Sequence, residues 1–235
     1  MGNTLERENP SNTNLKEIIS SKNFDLFIME LLNWYKKYGK QYIWRQNNNN
    51  YIKLITEIML QKTTSKQVSK LMPSFLNKFS SFEALAASNI NCIESTIFSL
   101  GLVSRKSLTL KQLSEKVVLR NPKNILEWES ILKETKGIGI YTINAFFINA
   151  FNLKRAAVDT NISRLLSRYS GLKFNRDARR DKKPWLIMEF IISKADVRDI
   201  LFSMLDFCSE ICTSKKPKCK NCILKENCLF DKGEK

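Results

Sequence analysis

Four cysteines close to the end of the chain, Cys212, Cys219, Cys222 and Cys228, have six, two and five residues between them. Thiols at such intervals more often bind a metal than form disulfides in a reducing compartment. Two separated CxxC knuckles would mark tetrahedral zinc, whereas a single CxxC flanked by further cysteines in short loops suits the corners of a 4Fe-4S cube. The spacing therefore favours iron-sulfur over zinc, with a disulfide pair third. Lys215, Lys216, Lys218 and Lys220 lie among these cysteines, so a metal group here would pin a basic loop in place. Cys208 and Cys92 fall outside the pattern and read as packing residues.

A second pattern is KGIGIYTINA over 136–145. Its two glycines lie between a helix ending near Thr135 and an apolar helix starting near Tyr141. They allow a tight turn and leave N–H groups pointing outward at a helix N-terminus, which makes an anion site. In a basic chain that anion is a DNA phosphate, met by Lys136, Gly137, Gly139 and Thr142; a plain helix–helix turn uses the same residues. Eighteen residues past Tyr141, in AAVDTNISRLLSRY, Asp159 follows an apolar approach and precedes a helix. A carboxylate there offers acid–base or electrostatic chemistry, and it is equally a good N-cap with no chemistry at all.

Something must carry these groups, and composition bounds what it is. The chain has 235 residues, 39 Lys and Arg against 23 Asp and Glu, no His, and a net charge of +16. Without histidine there is no Ser-His-Asp triad, imidazole base or His-ligated zinc or haem, so proton transfer falls to Asp, Glu, Lys, Tyr or Cys. The positive excess makes a polyanion the expected partner, nucleic acid ahead of a membrane surface. The opening MGNTLERENPSNTN lacks the basic start and apolar run of a secretion signal. The longest uncharged stretch, 138–153, is about sixteen residues with three asparagines, too short to span a bilayer and readable as a buried helix. Six cysteines without an export signal point to a reducing compartment, and the expected location is cytoplasmic, nucleoid-associated in a prokaryote.

Only seven Gly and five Pro punctuate the chain, and apolar residues recur three and four apart, which predicts an all-α fold. A polar tail runs to residue 22. Phe24, Phe27, Leu31, Leu32 and Tyr35 then form a stripe that stops at Gly39, a C′ position. Further helices are predicted over 51–62, 66–79, 106–118, 125–135 and 185–194, with a loop at Asn47 to Asn50 and a charged surface connection over 171–184.

The hairpin, the VDT segment and the four cysteines, in this order over about 42–228, resemble the helix-hairpin-helix (HhH-GPD) DNA glycosylases of the endonuclease III and MutY superfamily. Within it, YIKLITEIMLQKTT, SLGLVSRKSLTLKQL, KGIGIYTINAFF and AAVDTNISRLLSRYSG are most similar to the T:G mismatch thymine-DNA glycosylases. The resemblance implies a two-domain endonuclease III-like fold, with a six-helix domain containing the hairpin at 42–153 and a 4Fe-4S cluster domain at 23–41 and 154–235. It makes Asp159 the catalytic carboxylate beside the cation-like sugar of a flipped nucleotide. Tyr141 stands where bifunctional relatives carry a lysine that forms an imine; a phenol cannot, which implies a monofunctional enzyme with water as nucleophile. Glu57 falls where a carboxyl assists the departing base, a solvated helix glutamate being the other reading. Gln61 and Leu102 match side chains that wedge into the duplex, with an ordinary core leucine as the alternative for Leu102. Lys62, Arg105 and Lys106 become candidate phosphate contacts. Thr135 and Lys136 replace the leucine and proline usual before the first glycine, which implies either a looser turn or an added charge contact.

The implied function is excision of thymine or uracil mispaired with guanine in base excision repair, by a monomer whose partner is double-stranded DNA holding a mismatched or damaged base. A MutY-like adenine glycosylase is the first alternative, disfavoured because the chain stops shortly after the cysteines. An endonuclease III-like enzyme for oxidised pyrimidines and a non-catalytic DNA-binding module are the others.

Overall fold

The computed structural model describes residues 23–230 apart from 176, 178 and 179, so the tail expected at 1–22 lies outside the described residues. Among the described residues every regular element is a helix. The chain forms two compact units, one of Gln41–Leu153 and one of its two ends, Met1–Lys40 with Lys154–Lys235.

The first helix, α1 (Phe24–Tyr38), starts at Asn23, whose side chain accepts the Leu26 N–H at 2.9 Å, and buries Phe24, Phe27, Ile28, Leu31 and Trp34. Gly39 ends it without the left-handed turn expected of a C′ glycine: its φ is −61° and its ψ 137°. Glycine is needed there for a different reason, since a Cβ would lie 2.5 Å from the Tyr35 carbonyl oxygen and ring.

The second unit holds α2 (Ile43–Gln46), α3 (Asn50–Met59), α4 (Ser65–Lys78), α5 (Phe82–Ala87), α6 (Ile90–Ile97), α7 (Val103–Arg120), α8 (Ile125–Glu134) and α9 (Ile140–Phe151), with a 3-10 turn at Phe98–Leu100. Asn49 caps α3 by accepting the Tyr51 N–H, and Thr64 and Gln67 form a reciprocal capping box at the start of α4. Helix α3 stops three residues before the expected 62 because Lys62 has φ +55°, a left-handed conformation no α-helix continues through. Helices α5 and α6 went unpredicted. At six and eight residues they are too short to establish a 3.6-residue period. The stretch 138–153 is a buried helix as read, with Thr142 to Asn149 inside the core of this unit. Helix α9 packs on α3, whose residues Tyr51 to Met59 are all buried, and Trp128 of α8 stands 5.5 Å from the Phe146 ring. Lys53, also buried, donates to the Asn149 carbonyl at 2.8 Å near the C-terminus of α9, the end of a helix that favours a cation.

The unit of the chain ends adds α10 (Thr160–Ser170), α11 (Lys183–Lys194) and α12 (Val197–Glu210), followed by 3-10 turns at Cys219–Asn221 and Lys225–Asn227. Helix α12 packs on α1 and α10, with Trp34 edge-on to Phe207 at 5.3 Å. Phe24 and Phe27 close around the Tyr169 ring at 5.6 and 4.6 Å. Polar contacts also join the distant segments: Tyr169 donates its hydroxyl proton to the Asn23 carbonyl at 2.9 Å, the Lys40 N–H donates to Asp206 at 2.8 Å, the Lys40 ammonium pairs with Glu210, and Lys194 pairs with Asp25 at 3.0 Å. No helix among the described residues is long and apolar enough to cross a membrane.

Replacing Tyr169 with Phe keeps the ring packing and deletes one bond between the ends of the chain. We expect a loss of about 1 kcal/mol, seen as a lower urea midpoint at unchanged slope. A midpoint equal to wild type would mean that this hydroxyl contributes nothing to closing the unit.

Candidate functional site

The turn between α8 and α9 is braced from three sides. Thr135 is buried and donates its hydroxyl to the Ile131 carbonyl one turn back at 2.7 Å. Arg120, at the end of α7, makes a two-bond pair with Glu134 at the end of α8. Thr109 donates to the Lys136 carbonyl at 3.1 Å. These bonds hold the turn, and Lys136 stands exposed on it.

The two glycines of the turn have different reasons to be there. Gly137 has φ +95°, and a Cβ on it would sit 2.3 Å from the Thr109 hydroxyl oxygen. Gly139 has φ −104°, which any residue adopts, and its Cβ would meet no protein atom within 4 Å. Neither conformation nor packing calls for a glycine at 139, so the open space in front of it is where a ligand backbone can come close. No side chain caps the N-terminus of α9, which leaves that end of the helix suited to an anion. Tyr141 is half-buried on the first turn. Thr142 is only 5% exposed, so a contact to DNA from this residue would be made by its backbone.

Glu57 lies on α3 at 8% exposure among apolar neighbours, which disposes of the solvated-glutamate reading. Just beyond α3, the side-chain amide of Gln61 donates to the Gly137 carbonyl at 3.1 Å and so reaches the hairpin turn. Leu102 follows Gly101 at the start of α7, is 48% exposed and has φ +50°; it is not a core leucine. Lys62 and Arg105 are exposed. Lys106 is not, and here the expectation fails. Its side chain is 1% exposed and donates to the Thr63 hydroxyl and, at 3.1 Å, to the Leu100 carbonyl. Burial pulls its ammonium down to about 8. Facing inward on α7, it is unavailable to a phosphate.

In the unit of the chain ends, Asp159 is the N-cap of α10. Its Oδ1 accepts the N–H groups of Asn161 and Ile162 at 2.9 and 2.8 Å, and its Oδ2 accepts the Asn161 side-chain amide at 2.7 Å. The cap reading is therefore realised, and it coexists with chemistry because a carboxylate has about four acceptor positions and three are filled. The geometry is then held from behind. Asn161 accepts from Arg164 at 3.0 Å, and Arg164 donates through Nε and Nη2 to the Cys212 carbonyl at 3.3 and 3.0 Å. Sequence reading missed Asn161 and Arg164; their three-residue spacing on α10 is the one available signal, and ordinary helix surfaces share it.

Cys212, Cys219, Cys222 and Cys228 line one pocket that is partly open to solvent, walled also by Leu165, Phe207, Ile211 and Leu224. None is in a disulfide. Burial pushes the Cys222 thiol up to about 11, and Cys228, Cys212 and Cys219 push it the same way. Four thiolates here would need compensating positive charge. Among the described residues no three Cys, Asp or Glu side chains converge on a single-ion position. The four thiols share one apolar lining, which brings together the cysteines singled out by their spacing. Arg168 flanks it, donating to Cys212 Sγ at 3.4 Å and to the Thr213 and Ser214 carbonyls at 2.8 and 3.1 Å. Cys208 is buried with its thiol donating to the Asn161 carbonyl at 3.3 Å, and Cys92 packs at the edge of the core of the other unit, as their packing reading requires.

Residues 55–185, which include the hairpin and the helix-capping Asp159, match the family described as HhH-GPD superfamily base excision DNA repair protein. The chain belongs to this family, whose relatives include endonuclease III and adenine DNA glycosylases. Thymine/uracil-DNA glycosylase of Methanothermobacter thermautotrophicus is 28% identical over 211 residues, covering 90% of this chain and 96% of the relative. The solved structure of a thermostable thymine-DNA glycosylase gives a TM-score of 0.77 at 28% identity, covering 96% of this chain and 100% of that one. Adenine DNA glycosylase of Buchnera aphidicola subsp. Acyrthosiphon pisum is 31% identical over 208 residues, 87% of this chain but 59% of its own length.

The two glycines should separate under substitution. Gly137→Ala is expected to lower the thermal midpoint because of both its φ and Thr109. Gly139→Ala is expected to cost about 0.5 kcal/mol or less of stability while weakening duplex binding about tenfold in a fluorescence-anisotropy titration. Undiminished binding by Gly139→Ala would remove the phosphate from this turn.

Proposed function

We propose that this protein is a monofunctional DNA glycosylase that flips thymine or uracil mispaired with guanine out of the duplex and hydrolyses its N-glycosidic bond. The observation that carries the reading is the match to a thymine/uracil-DNA glycosylase over nine-tenths or more of both chains, together with the fold shared with a thermostable thymine-DNA glycosylase.

The chemistry follows from the residues. A mismatched base is the cheapest to unstack, so flipping costs least there. The bond from the sugar to the base breaks with the electron pair leaving on the base, and positive charge develops on the sugar. Asp159, held by its three donors, supplies a carboxylate for that charge and retains room to accept a proton from the attacking water. The water oxygen bonds to the sugar carbon, and the base takes up a proton. Glu57, buried on α3, is the group proposed to hydrogen-bond or protonate it. Tyr141 occupies the hairpin position without an amine, so no imine forms and the abasic strand stays intact. Lys136, Gly137, Gly139 and Thr142 bind phosphate, and Lys62 and Arg105 add charge beside Gln61 and Leu102.

Cys212, Cys219, Cys222 and Cys228 would hold a 4Fe-4S cluster, which when bound supplies the positive charge that four thiolates need and ties their loop together. The basic loop over 213–220 would then present Lys215, Lys216, Lys218 and Lys220 as a fixed array. The purified protein is expected to be brown, with broad visible absorbance lost in Cys219→Ser. A colourless protein holding one zinc per chain would overturn the cluster.

The substrate is tested with end-labelled duplexes carrying one T:G, U:G or A:8-oxoguanine pair, analysed with and without hot alkali. Cutting of the T or U strand only after alkali is expected, with a loss of about a hundredfold or more in Asp159→Asn. Cutting of the A strand alone would assign adenine excision instead. Cutting without alkali would refute the role given to Tyr141.

A further inference from the structure

Lys106 is a buried cation to which the reaction gives no role. Among the described residues it pairs with no carboxylate; its partners are the Thr63 hydroxyl and the Leu100 carbonyl. Burying an ammonium against neutral groups is costly, and an apolar side chain of similar length would serve the core better. The position of those partners supplies the account. Thr63 belongs to the loop between α3 and α4, Leu100 to the turn before α7, and Thr63 donates its own proton to the same Leu100 carbonyl at 2.6 Å. One ammonium and one hydroxyl therefore tie two loops that are 37 residues apart in sequence.

Both loops need holding. Lys62 has φ +55° and Leu102 φ +50°, left-handed conformations that side-chain-bearing residues avoid and that persist only where the surroundings impose them. Both loops also carry a proposed wedge, Gln61 in one and Leu102 in the other. Gln61 reaches on to the Gly137 carbonyl, and Thr109, one turn along α7 from Lys106, reaches the Lys136 carbonyl. Hydrogen bonds thus link the two loops to each other and to the hairpin turn within one unit.

We infer that Lys106 and Thr63 form a clasp that sets the two wedge loops in place before DNA arrives, making Lys106 a positioning residue for base flipping. The inference rests on the proposed roles of Gln61 and Leu102. A wedge held in its working conformation does not lose freedom on entering the duplex, so the binding energy goes to unstacking rather than to ordering the loop.

The test compares Lys106→Met, Thr63→Val, the double variant and Thr63→Ser, which keeps the hydroxyl. In the Asp159→Asn background, 2-aminopurine beside the mispaired thymine reports unstacking on binding; the active background gives the single-turnover excision rate at saturating enzyme. Lys106→Met and Thr63→Val are each expected to slow excision about tenfold or more and to cut the 2-aminopurine rise, with affinity for a matched duplex kept within about twofold. The double variant should fall no further than either single variant, because both remove one device, and Thr63→Ser should stay near wild type. Backbone amide exchange of the free protein gives an arm that needs no substrate: both loops, 60–64 and 98–102, should exchange faster in Lys106→Met and Thr63→Val. If the wild type excised nothing from T:G or U:G, the substrate assignment would fail while amide exchange still decided the clasp. Unchanged exchange in both loops, an unchanged 2-aminopurine rise, or additive losses in the double variant would overturn it. Should Lys106→Met fail to fold, the contrast between Thr63→Val and Thr63→Ser decides alone.

Discussion

Helix ends are where an all-α chain has backbone donors and acceptors left over, and this constraint organises the molecule. Asp159 caps α10, Gly139 precedes an α9 that no side chain caps, Leu102 precedes α7, and Gln61 follows α3. A helix surface offers side chains alone, while a helix end adds unpaired N–H groups and a turn that changes direction within a few residues. The proposed phosphate grip, wedges and catalytic carboxylate therefore all fall on junctions. The helices between them serve to bury apolar stripes and to hold those junctions still.

Holding them still is done by polar groups in places where apolar ones would be cheaper. Lys53 on the Asn149 carbonyl, Lys106 between Thr63 and Leu100, and Asp206 on the Lys40 N–H are all buried charges with specific partners. A greasy core tolerates sliding, but a buried ammonium that loses its acceptor is heavily penalised, so each such contact admits one arrangement of the segments it joins. The same logic runs through the unit of the chain ends, where Asp159, Asn161, Arg164 and the Cys212 carbonyl follow one another by hydrogen bonds. The cysteine cavity and the capped carboxylate are thereby mechanically continuous within that unit.

Much of this was readable in the sequence. Apolar recurrence at three and four residues located α1, α4, α7, α8, α9 and α11 to within a few residues, and the absence of histidine left proton transfer to Asp, Glu, Lys, Tyr or Cys. Periodicity also missed α2 and the 14-residue α12, and part of what it missed has plain causes. Helices α5 and α6 are shorter than the period needs, α3 ends early because Lys62 turns left-handed, and Gly39 marks a close approach to Tyr35 rather than a left-handed cap. Lys106 looked like its exposed neighbour Arg105, since residue type says nothing about which side of a helix faces the core.

The sequence by itself determined the helical class and pointed to a polyanionic partner and to candidate residues for chemistry: the hairpin glycines, Asp159, Tyr141 and the four cysteines. Each is a matter of residue type and local spacing, which the chain carries wherever it goes. Only the tertiary structure decided how those groups are held. That Glu57 is buried, Leu102 exposed, Asp159 filled by three donors and Lys106 turned inward depends on segments tens of residues apart. Such partners are specified by packing, and packing leaves no local mark in the chain.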